Sequence, residues 1–153
     1  MADRIRAGAR LVVVLGLASA CGKLDQECRA VTTRANAFIE EAGRLRPKPD
    51  ASPADTAREA LATAARYERL AADLRAIPIE SSKLQPEVAS YRTLAERSAA
   101  SLRAVAQALT DGDFDTARRK RVELDRAARG EGPLVARINE VCGLSPAPAA
   151  SGR

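Results

Sequence analysis

Between Leu24 and Leu45, apolar residues recur in alternating steps of four and three: Leu24, Cys28, Val31, Ala35, Phe38, Ala42 and Leu45. That stepping lays one continuous stripe along an α-helix, with Arg29, Arg34, Glu40, Glu41 and Arg44 on its polar side. Pro47 and Pro49, set among Arg46, Lys48 and Asp50, then break the pattern. A second stripe runs through Ala60, Thr63, Tyr67, Leu70, Leu74 and Ile77, with Leu61, Ala64 and Ala71 beside it. Ser52, Pro53 and Asp55 announce its start as cap, first helical residue and first-turn acid, and Pro78 ends it. The third stripe is Leu84, Val88, Tyr91, Ala95, Ser98, Leu102, Val105 and Leu109, with Ser82 as the expected cap.

Asp111-Gly112-Asp113 makes a tight turn, and the fourth stripe follows as Phe114, Ala117, Arg121, Leu124, Ala128, Glu131, Val135, Ile138 and Cys142. Arg121 and Glu131 violate its apolar character, and Gly130-Glu131-Gly132-Pro133 interrupts it without losing register. Two readings stand, one helix kinked at Pro133 or a break into two; the unbroken register favours the kink. Gly143 is the expected end, followed by a proline-containing tail over residues 145–153. Four long helices with short connections fold as an antiparallel up-down-up-down bundle, so the fold class is all-α. Alanine is abundant and aromatic residues make up only 3% of the chain, so the core is built of small aliphatic side chains and the helices pack closely.

The leader has a different pattern. Arg4, Arg6 and Arg10 precede an apolar run through Leu11, Val14 and Leu17, and Ala18-Ser19-Ala20 stand directly before Cys21. Basic, then apolar, then small is the order of an export signal. The run is about ten residues, half of the roughly twenty needed to span a bilayer. Leu17-Ala18-Ser19-Ala20-Cys21 resembles the lipobox of bacterial lipoproteins, with Ala18 where Leu is commonest. The resemblance covers the first 21 residues only. It implies cleavage after Ala20 and acylation of Cys21; ordinary secretory cleavage at the same place is the alternative. Gly22 is not the Asp that marks inner-membrane retention in that family, so the resemblance leans towards the outer membrane, facing the periplasm. The expected organisation is a signal over 1–20, a bundle over 21–144 and a disordered tail over 145–153.

Export also bears on charge and cysteine. The whole chain carries a net +5, but Arg4, Arg6 and Arg10 leave with the leader against one acid, Asp3. The mature chain is only mildly basic, too weakly to specify a partner, and an exported protein has little access to nucleic acid. Cys28 and Cys142 remain, one near each end of the mature chain, in an oxidising compartment. In an up-down-up-down bundle the first helix starts where the fourth ends, so both stripe cysteines arrive at one end. A disulfide is the expectation, and two buried free thiols are the alternative.

Candidate chemistry is sparse. The chain has no histidine, which removes the commonest general base and the usual ligand of haem and zinc. Di-iron sites in such bundles require inward glutamates and a Glu-x-x-His pattern; Glu131 is the sole acid on the stripes. Asp111, Asp113 and Asp115 alternate as at the start of a calcium loop, but Thr116 and Val122 occupy its glycine and glutamate positions. No catalytic residue, metal ligand or cofactor is therefore assigned. The inward polar residues Arg121 and Glu131 are the candidates for a buried pair. Arg118-Arg119-Lys120-Arg121 points all round its helix and makes no single patch.

The expectation for function is a membrane-anchored, periplasm-facing lipoprotein, held by lipid on Cys21, that acts without catalysis as a binding or structural component of the cell envelope. Its partner would be another envelope protein or component. The rival is a bundle that takes a small ligand in its interior near Pro133.

Overall fold

Helices form where the stripes lie: α1 (Lys23–Gly43), α2 (Pro53–Ala76), α3 (Leu84–Thr110) and α4 (Phe114–Val141). The computed structural model describes residues 22–43 and 51–144; the leader with Cys21, the stripe residue Leu45 and the tail lie outside the described residues. Successive helices run antiparallel and pack as an up-down-up-down bundle, with no strand among the described residues.

Local chemistry sets the helix ends. Ser52 caps α2 by accepting from the amide of Asp55 at 3.1 Å, and Pro53 occupies the first helical position. Asp113 caps α4 by accepting from the amide of Thr116 at 2.9 Å. Gly112 (φ 74°) and Gly143 (φ 63°) terminate α3 and α4 in the left-handed conformation that glycine tolerates best. After each, the next amide reaches back five residues, Asp113 to Ala108 and Leu144 to Asn139, both at 2.8 Å, which completes a Schellman motif. The start of α3 differs from expectation. Ser82 does not cap it; the helix begins at Leu84, whose amide bonds the Ser81 hydroxyl at 3.3 Å.

The core divides into two halves along the bundle. The half nearest the chain ends is built from all four helices: Cys28, Val31 and Ala35 meet Leu70 and Leu74, Leu84, Val88 and Tyr91, and Leu134 and Ile138. The far half contains Ala57, Ala60, Ala64, Leu102, Val105 and Ala106, with Leu109 and Leu124 against them, and, among the described residues, none from α1. The last described turn of α1 meets the middle of α2, where Arg69 pairs with Glu41 at 3.4 Å and Arg66 reaches the Glu41 carbonyl. Counted upward from Cys28 and Cys142 at about 1.5 Å per residue, Glu41 lies near the level of Arg129.

The structure corrects the fourth stripe. Ala117, Leu124, Glu131 and Ile138 do face the core, but the column beside them is Lys120, Ala127 and Leu134 rather than Arg121, Ala128 and Val135. α4 packs mainly on α3, so the column on that side is covered. On the other column Val135 and Cys142 pack against the core near the disulfide, while Ala128 and Arg121 lie on the surface. Arg121 is exposed, not inward. Phe114 at 54% exposure and Leu61 at 46% likewise lie outside the core. Pro133 stands within one continuous α4, so the break into two helices does not occur.

Candidate functional site

One layer across the bundle collects most of the chain's aromatic residues and its one acid on the fourth stripe. Phe38 from α1 and Tyr67 from α2 stack at 4.7 Å between ring centres, tilted by 51°. Tyr91 from α3 is 2% exposed and donates its hydroxyl to Glu131 Oε1 of α4 at 3.2 Å. Tyr67 packs against both halves of the core, so the layer lies where the two halves meet. Each helix supplies one side chain because each stripe passes this level once.

Burial controls the electrostatics here. The Glu131 carboxyl is pushed above the usual carboxylate range by burial, and the Tyr91 hydroxyl opposes this only in part. Tyr67 is pushed up to about 12 by burial and then by the nearby Glu131 charge. Tyr91 is raised for the same two reasons and by its hydrogen bond to Glu131. Both phenols therefore remain protonated donors at ordinary pH, and Glu131 is the group that holds or releases a proton. The layer can fix the helices' register through a directional bond in an otherwise apolar seam.

Arg121 and Glu131 are not brought together: Arg121 faces outward, while Glu131 bonds Tyr91. Cys28 and Cys142 are joined in a disulfide with their Cα atoms 5.7 Å apart. Cys21 lies outside the described residues. The basic run disperses as its helical spacing requires, with Lys120 on Glu123 at 2.9 Å and Arg118 on Asp115 at 3.6 Å. Asp111 accepts from Gln107 and Asp113 is spent on the α4 cap. No group of three or more Cys, Asp or Glu side chains among the described residues is placed to hold a metal ion.

One buried acid escaped the stripe pattern. Glu27 is 5% exposed and accepts from the amides of Glu80 at 2.9 Å and Ser81 at 3.2 Å. It satisfies the backbone of the α2–α3 connection and ties that connection to α1. Nothing local in the sequence marks this role, because the two amides lie more than fifty residues away. The pairing of Tyr91 with Glu131 was half visible: both stand on stripes, but the shared level depends on the relative shift of α3 and α4.

No protein-family model, curated protein or solved structure matches the chain. No helix among the described residues is long and apolar enough to cross a membrane.

Proposed function

We propose that this chain is an exported lipoprotein, anchored by lipid on Cys21, whose bundle serves without catalysis as a binding or structural component of the bacterial envelope. The favoured location is the periplasmic face of the outer membrane. The observation that carries the reading is the joint placement of leader and disulfide. The Cys28–Cys142 bond closes the end of the bundle from which α1 emerges, and α1 begins at Lys23, two residues after Cys21. A structural disulfide persists in oxidising compartments, in agreement with an export leader. So short a tether holds the bundle at the membrane surface, with the Gly112 turn at its far end.

The interior beside Pro133, where a small-ligand site was the rival, is filled by Tyr91, Leu134 and Ile138. That packing favours a partner met on the outside of the bundle. Metabolic labelling with a fatty acid tests the anchor. The wild-type chain should incorporate label and Cys21→Ala should not; label retained in Cys21→Ala refutes the anchor, and an unlabelled wild type does so as well.

A further inference from the structure

On the side of α3 away from the core, a groove of about 880 Å³ runs between α3 and α4. We propose that this groove is the seat of an amphipathic helix with acidic flanks, contributed by another protein. The inference rests on the protein-binding reading above and names the chemistry of the partner.

The groove has the shape of a helix seat. Ala89, Thr93, Arg97, Ala100 and Ala104 line it from α3 in steps of four and three, a second seam on the opposite side of the helix from the buried one. From Ala89 to Ala104 the seam is about 22 Å long, four helical turns. Ala127 and Leu134 supply the floor from α4. Small side chains on both walls let a third helix approach closely, and its long residues fill the space.

Polarity argues for a helix over a bare acyl chain. The walls carry the hydroxyls of Ser90, Thr93 and Ser101 and four charged side chains. Ser90 and Thr93 donate to the carbonyls of Pro86 and Ala89, but an acyl chain would desolvate the charged side chains without replacing their hydration, whereas a helix brings polar flanks of its own.

Charge chooses the sign of those flanks. Lys120 is taken by Glu123 at 2.9 Å. Arg97 on α3 and Arg126 on α4 are both exposed and make no ion pair or hydrogen bond with another described residue. Among the described residues the groove thus offers one cation without an ion pair on each wall, the arrangement that flanking glutamates of a docked helix complement. A second copy is a poorer complement, because the mature chain is itself mildly basic.

Fluorescent synthetic helices of about six turns, with a Leu/Ala seam and either Glu or Lys flanks, test this against the full chain by anisotropy. The Glu-flanked helix should bind. Arg97→Glu combined with Arg126→Glu should weaken it by at least about tenfold and reverse the preference in favour of the Lys-flanked helix. Ala100→Trp, at an exposed position, should block both, with the melting temperature of every variant reporting intact folding. The proposal is overturned if neither helix binds, if the two bind alike, or if Ala100→Trp changes nothing. Phosphatidylglycerol vesicles that bind through the same two arginines while the Glu-flanked helix does not would assign the rim to lipid. A dimer in sedimentation that Ala100→Trp abolishes would assign the groove to a second copy; either result overturns the proposal. Fatty-acid labelling is independent of the groove, so failure of the helix to bind and failure of the anchor are distinguishable.

Discussion

Reduction of the Cys28–Cys142 bond should release α1 before it unfolds the rest of the bundle. The reason lies in how little else holds that helix. α1 buries Cys28, Val31 and Ala35 fully among its apolar residues, and Leu24 and Phe38 in part. α3 buries ten positions along both faces of the shared core. With the bond intact, an α1 that melts locally is still fastened at Cys28 and again where α2 begins at Pro53, a closed loop of about 25 residues. In the chain-entropy model such a closure is worth about 3.5 kcal/mol. Removing it should raise the local opening of α1 roughly 300-fold. For global unfolding the bridged residues are 114 apart, and the same relation gives about 5 kcal/mol. Hydrogen exchange read by mass spectrometry, with and without reductant, separates the two. After reduction, amides of α1 should have lost two to three decades of protection and should exchange at a lower free energy than those of α2 and α3, which open only with global unfolding. Unchanged protection of α1 after reduction, or one common exchange free energy for all four helices, would refute the reasoning.

Glu131 should make stability depend on pH with a definite sign. Burial raises its carboxyl above the unfolded value, so the folded state holds the proton more tightly. Its contribution is fully present below the ordinary carboxylate value and is lost as pH rises through the raised one; the difference in melting temperature between wild type and Glu131→Gln, followed from about pH 4 to pH 8, should move that way, and a flat difference contradicts it. Tyr91→Phe removes the donor to Glu131 and should cost about 1–2 kcal/mol in urea unfolding; a cost of zero would mean the bond at this layer is idle. Glu27→Ala leaves two loop amides without their acceptor and should cost about 2–3 kcal/mol; wild-type stability in that variant would show that water replaces the carboxylate freely.

Much of the bundle was legible because a helix's own period is local. Residues three and four apart share a face whatever the rest of the chain does, so the stripes of α1 to α3 and the caps at Ser52 and Asp113 follow from nearby residues alone. The Cys28–Cys142 bond was legible for a second reason: with four helices and short connections, topology decides which ends meet. α4 shows the boundary of this logic. Its central column, Ala117, Leu124, Glu131 and Ile138, is flanked on both sides by similar pairs, Lys120 and Arg121, Ala127 and Ala128, Leu134 and Val135. Composition does not choose between the flanks.

The choice belongs to the neighbours. The sequence by itself determined four amphipathic helices, their order, most of their ends and the meeting of the two cysteines, because each depends on spacing along the chain. Only the tertiary structure decided that Arg121 is exposed while Glu131 bonds Tyr91, that Glu27 holds the α2–α3 connection and that Arg97 and Arg126 face a groove. Those outcomes depend on the rotation and axial shift of one helix against another, which are settled by packing between residues dozens of positions apart.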